Sequence, residues 1–262
     1  MSKIYTTIKL TKKQNTTWVT LNRPQKMNAI NATMLQELSE VLDTLEKDHN
    51  VRCVIFMGEG KKAFSAGADI AELQKLTQET AAEFSRNGQQ TFSQAETLSK
   101  PIVAAINGYA LGGGLELALA CDFRFASINA ELGFPEMKLG IIPAWGGTQR
   151  LTWTAGATVA KRLIMLGDRV KAEEALKMGL VDKVIPQNRL KAEAEELAQR
   201  LCKWEPAALR QAKHAITSAT RNVLESGFKM ETDCFARLFA DEETRNELKS
   251  FLIQRNKRRS RN

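Results

Sequence analysis

The stretch Asn107-Gly108-Tyr109-Ala110-Leu111-Gly112-Gly113-Gly114-Leu115-Glu116 joins two apolar segments, and its reading decides how the chain folds. Residues 101–106 before it form a short apolar run that opens on a proline, which predicts a strand. Residues 115–121 after it are apolar nearly all round and predict a buried helix. Three consecutive glycines remove every Cβ at the junction, so a ligand can approach the main chain closely and positive φ is open. The helix start adds unpaired N–H donors and a partial positive charge, which suit an oxyanion. Gly113 and Glu116 are three apart, so a helical turn beginning at Gly113 sets a donor beside a potential acid or base. Read alone, the same segment is equally a tight turn with Glu116 merely sitting at a helix N-terminus.

Outward from this junction, strands are predicted over residues 4–10, 17–22, 51–57, 101–106, 122–126 and 181–185. A helix is predicted over 33–48, where Met34, Leu35, Leu38, Val41, Leu42 and Leu45 recur at helical spacing behind Asn31 as N-cap. Another covers 80–98 and ends before Lys100-Pro101. Strands alternating with helices point to an α/β core. From about Leu190 the pattern turns to helices only, divided near Glu205-Pro206 and again near Ser226-Gly227. The expected organisation is a core over 1–190, a helical subdomain over 191–256 and a basic tail over 257–262, solvated and disordered. No fixed-period repeat is visible.

At 262 residues the chain can bury a large core, and 43% hydrophobic with 26% charged residues is ordinary for a globular protein. No apolar run approaches a membrane span, and the N-terminus carries no signal-peptide pattern, so a cytoplasmic location is expected. Cys53, Cys121, Cys202 and Cys234 are widely spaced and read as reduced core residues. Only two histidines, His49 and His214, are present, which removes most histidine-based mechanisms and leaves no zinc constellation. The net charge of +8 owes four positives to Lys257-Arg258-Arg259-Ser260-Arg261, and it favours polyanionic partners such as a phosphate-bearing ligand, nucleic acid or an anionic surface.

Two further segments present small residues or a carboxylate in apolar surroundings. Lys62-Ala63-Phe64-Ser65-Ala66-Gly67-Ala68-Asp69-Ile70 links a strand to a helix-like run and can expose backbone, or can be a loop with Asp69 as N-cap. Gly133-Phe134-Pro135-Glu136-Met137 sets Glu136 among apolar neighbours. Burial there raises a carboxyl pKa toward neutrality, as a general acid or base needs, whereas a surface turn leaves it ordinary.

In order and spacing these segments resemble the enoyl-CoA hydratase (crotonase) family. The resemblance is carried by Leu21-Asn22-Arg23-Pro24 with Asn28-Ala29, by Ala66-Gly67-Ala68-Asp69-Ile70, by the opening segment through Gly114, and by Pro135-Glu136 through Gly146-Gly147-Thr148-Gln149-Arg150-Leu151. It implies a spiral of ββα turns and an α-helical C-terminal trimerisation region, giving trimers often paired into hexamers. It also implies an oxyanion hole from the N–H groups of Ala68 and Gly113, which would hold the thioester oxygen of an acyl-CoA as charge develops on it. The two hydratase glutamates map onto Glu116, chiefly activating water, and Glu136, chiefly handling the α-carbon proton. Isomerases of the family commonly lack the first glutamate, so Glu116 favours hydration, or dehydration of a 3-hydroxyacyl-CoA, over isomerisation.

Coenzyme A is then part of the substrate, and no separate cofactor or metal is expected. Its binding maps onto Lys26, Met27, Ala66, Asp69, Ile70 and Gly112 by resemblance. Three departures stand out: Ala71 replaces a lysine, Ile253-Gln254-Arg255 replaces Glu-Lys-Arg, and Ala144-Trp145 replaces small residues. Trp145 either shortens the acyl pocket, which gives a short-chain preference, or packs between subunits. Some relatives bind RNA. The basic charge permits that here, but no RNA-binding fold or aromatic platform supports it.

Overall fold

Three times in succession the chain makes a strand of five or six residues, a strand of three, and then helix. The structure, a computed structural model, describes residues 4–259. Ahead of these turns stand β1 (Ile8–Lys13), β2 (Thr16–Leu21) and α1 (Ala32–Lys47). The first turn comprises β3 (Cys53–Gly58), β4 (Ala63–Ser65), α2 (Ile70–Leu73) and α3 (Gln78–Thr97). The second is β5 (Ile102–Ile106), β6 (Tyr109–Leu111) and α4 (Gly113–Leu119). The third is β7 (Phe123–Ser127), β8 (Glu131–Gly133), a 3-10 helix at Pro135–Leu139 and α5 (Gly147–Met165). Then follow β9 (Arg169–Lys171), α6 (Ala172–Lys177), β10 (Lys183–Ile185), α7 (Leu190–Leu201), α8 (Pro206–Leu238) and α9 (Glu242–Arg259).

The longer strands build one sheet in the order β1-β2-β3-β5-β7-β10, and the three-residue strands build a second in the order β4-β6-β8-β9. Within each sheet the turn strands pair in parallel, so every turn adds one strand to both. This is the α/β spiral of ββα turns expected from the sequence. The repeat is hidden at sequence level because the closing helices differ so much: α3 has 20 residues and α4 has 7.

Both faces of the large sheet are covered, which is why β3 and β5 read as unbroken apolar runs. Val54, Phe56, Ile102, Ala104 and Ile106 face the main core. Cys53, Ile55, Met57, Val103 and Ala105 face outward, where Leu190, Ala194, Ala198 and Leu201 of α7 cover them. The boundary expected after residue 190 therefore falls at an element packed on the sheet.

The Asn31 cap is present, its side chain accepting from Met34 N at 3.1 Å. Strand β1 starts at Ile8, later than expected, because Thr6 N and Thr7 N donate to the Glu37 carboxylate, each at 2.8 Å, instead of to a neighbouring strand. No break occurs at Ser226-Gly227: α8 runs straight through. Gly227 is there for close packing, since a Cβ on it would collide with the Gln149 amide of α5. The break lies instead between α8 and α9. Residues 257–259 belong to α9 and are not the start of a disordered tail, while residues 260–262 lie outside the described residues. Among the described residues no helix is long and apolar enough to cross a membrane.

Candidate active site

The site is assembled where the short strands hand over to helices. Residues 23–30 and 66–69 are stitched together first. Ala66 N donates to Met27 O at 3.0 Å, Ile30 N to Gly67 O at 2.8 Å, and Asp69 N to Ile30 O at 2.8 Å. Asn28, fully buried with φ 54°, braces the loop through bonds to Arg23 N, Glu59 O and Ala63 O. This pairing uses the groups on either side of Ala68 and turns the Ala68 N–H away from Ile30.

The three glycines of the 107–116 segment each answer a different neighbour. Gly112 has φ 51°, and a Cβ on it would collide with Glu136 Oε1. A Cβ on Gly113 would stand 2.5 Å from the Trp145 ring, and one on Gly114 would meet the Ser65 carbonyl. Gly113 opens α4, so its N–H has no partner within the helix. A Cβ on Gly67 would lie 3.3 Å from Gly113 N, and one on Gly113 would lie 3.4 Å from Ala68 N. Two backbone donors thus flank one small volume, and among the described residues neither has an acceptor.

Glu116 lies in the first turn of α4 and is 1% exposed. Its Oε1 accepts from Trp145 N at 2.8 Å and Gly147 N at 2.6 Å, which leaves Oε2 for the cavity that Glu116 lines. Burial pushes its pKa up, as do the nearby charges of Glu231 and Glu136, and the two N–H groups oppose that rise. Glu136 stands in the 3-10 helix, its Oε2 buried and without a hydrogen-bond partner. Burial pushes its pKa up to about 8, with the Glu231 charge adding and the backbone N–H of Glu136 itself opposing. Both glutamates line one cavity of about 330 Å³, the size of a small-ligand site.

Trp145 closes this cavity on the side of α3. Its ring packs against Phe84 with centroids 4.9 Å apart and edge-on to Phe92 at 5.5 Å, and Nε1 donates to Phe84 O at 3.1 Å. A Cβ on Gly88 would overlap the indole, so two glycines, Gly88 and Gly113, make its slot. Trp145 is buried by residues of its own chain. With Phe84 it also lines a second, outer groove, so these two rings partition the cavity from that groove. Lys26, Lys138 and Arg169 bring positive charge to the cavity wall.

The family model for enoyl-CoA hydratase/isomerase matches residues 11–259. The chain belongs to the enoyl-CoA hydratase/isomerase family. It is 40% identical over 237 residues to the short-chain-enoyl-CoA hydratase of Clostridium acetobutylicum, covering 90% of this chain and 91% of that one. It is 39% identical to the crotonyl-CoA hydratase of Syntrophomonas wolfei, covering 96% of both. The crystal structure of an enoyl-CoA hydratase from Bacillus anthracis superposes with a TM-score of 0.80 at 37% identity, covering 95% of this chain and 97% of that one.

For this family member, the residues singled out in the sequence come together with one exception. Lys26, Met27, Ala66, Ala68, Ile70, Gly112, Gly113, Glu116, Glu136 and Trp145 all line the cavity. Asp69 does not: Oδ1 caps α2 through Ala71 N at 3.3 Å, and Oδ2 pairs with Arg23 at 2.9 Å. The Arg23 bonds hold its pKa down against the burial that raises it. Sequence reasoning missed Phe84, Lys138, Arg169 and the buried Glu231 on α8. A signal for Glu231 exists, since it lies four and eight residues before the buried Phe235 and Phe239, a charge on an apolar helical stripe.

Proposed function

We propose that the protein adds water reversibly to short-chain trans-2-enoyl-CoA thioesters, giving 3-hydroxyacyl-CoA, or dehydrates the latter in the reverse direction. The observation that carries this reading is the pair of glutamates facing one cavity beside two unpartnered backbone N–H groups. The thioester oxygen takes the Ala68 and Gly113 donors, which stabilise the enolate as it forms. Glu116, as carboxylate, accepts a proton from water while the water oxygen bonds to the β-carbon. The π electrons move to the α-carbon, which takes the proton of Glu136. A carboxyl with a pKa of about 8 is protonated at neutral pH and suited to that delivery. The two N–H bonds and the nearby N-terminus of α5 favour the ionised form of Glu116. Neither step requires a dissociable cofactor.

The names of the relatives and the Trp145–Phe84 partition both support a short acyl chain. Lys26, Lys138 and Arg169 would meet the coenzyme A phosphates, compensating for Ala71 and Gln254. A homotrimer or hexamer is supported by Ile216, Val223 and Met230, which are exposed at seven-residue spacing along α8. Light scattering of the purified protein would return a monomer mass if that is wrong. A cytoplasmic location is supported by four free cysteines. The activity is tested by kcat/KM for 2-enoyl-CoA substrates from C4 to C8, with a 3-enoyl-CoA beside them. The C4 2-enoyl thioester is expected to lead. Preference for C8 would overturn the chain-length reading, and turnover of the 3-enoyl substrate alone would replace hydration by isomerisation.

A further inference from the structure

Segment 145–148 offers four successive backbone N–H groups, and they point alternately to two buried carboxylates. Trp145 N and Gly147 N donate to Glu116 Oε1. Gly146 N donates to Glu231 Oε1 at 2.6 Å and Thr148 N to Glu231 Oε2 at 2.9 Å. Glu231 comes from α8, is 2% exposed and does not line the cavity, so it has no direct access to substrate. Its remaining partners are Gln89 Nε2 on α3, at 3.0 Å, and the Thr148 hydroxyl. That hydroxyl accepts from Gln149 Nε2 at 2.9 Å, so its proton is free for Glu231. All four partners are neutral donors.

A buried carboxylate held only by neutral donors is costly to keep. What it supplies is acceptor capacity on both oxygens. A glutamine there would turn an NH2 group toward one of the N–H donors. The carbonyl side of the segment is held too: Ser85 Oγ donates to Ala144 O at 2.7 Å and Arg150 Nη1 to Trp145 O at 2.9 Å. Gly146 adopts φ 101°, a left-handed turn that lets neighbouring N–H groups face opposite ways.

We propose that Glu231 is a positioning residue for water addition: by holding the N–H groups of Gly146 and Thr148, it keeps those of Trp145 and Gly147 on Glu116. This rests on the hydratase reading of the site. Glu231 acts through Glu116 and so affects a turnover step more than substrate capture.

The test is a double-mutant cycle with crotonyl-CoA as substrate: wild type, Glu231→Gln, Glu116→Gln and the double variant. Glu231→Gln is expected to lower kcat on the order of 10²-fold, the scale on which a small misplacement acts. KM should stay within about threefold, and the double variant should be no slower than Glu116→Gln alone. A kcat within about twofold of wild type, a loss confined to KM, or losses that multiply in the double variant would overturn the proposal. Hydrogen exchange of residues 144–150 is measured in parallel. It should speed up in Glu231→Gln while exchange in β3 and β5 is unchanged, and an unchanged 144–150 segment would overturn the clamp. If wild type fails to hydrate crotonyl-CoA, the hydratase reading falls while the exchange data still decide the clamp. If Glu231→Gln does not fold, Thr148→Val, which removes one donor to Glu231, enters the same cycle and is judged by the same non-additivity.

Discussion

Glu116 and Glu136 face one cavity from opposite kinds of support. Glu116 projects from a buried helix and rests on two backbone N–H groups of a neighbouring loop. Glu136 projects from a 3-10 turn, and its Oε2 is buried with no partner at all. Burial raises the pKa of both, and two N–H donors from segment 145–147 favour the anion at Glu116 where Glu136 has only its own backbone N–H. In the proposed reaction these two supports divide opposite tasks between residues of one type, one accepting a proton and one delivering it. Environment divides the labour, as it does wherever two carboxyls share a site.

Several substitutions break or sharpen that contrast. The largest effect is expected from Glu116→Gln and Glu136→Gln, each lowering kcat for crotonyl-CoA hydration by roughly 10²–10⁴-fold. If either kept more than about a tenth of wild-type turnover, its proton role would be withdrawn. Next comes Gly113→Ala, which drives a Cβ against the Trp145 ring and displaces the donor proposed to hold the thioester oxygen. A loss of about 10²–10³-fold in kcat is expected, and a change in KM alone would show that Gly113 only binds. Trp145→Leu opens the partition proposed to limit the acyl chain, so the C8 to C4 ratio of kcat/KM should rise about tenfold, and a fixed ratio would locate the chain-length limit elsewhere. The smallest effect belongs to Asp69→Ala. It should cost about 1–2 kcal/mol in unfolding free energy through the lost cap and ion pair, with KM nearly unchanged. A large rise in KM with unaltered stability would return Asp69 to the coenzyme A site.

What could be read from the sequence follows from length and periodicity. The long strands and α1, with its Asn31 cap, announce themselves because each spans enough residues to show a pattern. The second sheet does not, since β4, β6, β8 and β9 have three residues each, too few for any alternation. Yet those strands carry the site, and it was legible only through Gly112-Gly113-Gly114, Ala66-Gly67-Ala68 and the apolar flanks of Glu136. Gly227 misled, because a glycine kept for contact with Gln149 looks the same in sequence as a helix break. Asp69 misled in the opposite way, as its neighbours line the cavity while its own carboxylate is used up by Ala71 and Arg23. The slot for Trp145 depends on Gly88 and Gly113, far apart in the chain, and only the folded arrangement brings them to one ring.

The contrast between the two glutamates is tested most directly by the pH dependence of kcat/KM for crotonyl-CoA hydration, in wild type and in Glu136→Gln. The free enzyme's essential groups govern that quantity. Glu136 is protonated below its pKa, so wild type should hydrate at neutral pH and lose activity as the pH rises through about 8. Glu136→Gln should lose both the activity and that alkaline limb. No hydration by wild type, a rate that holds level well past pH 8, or an alkaline limb that survives in Glu136→Gln would contradict the assignment of Glu136 as the acid.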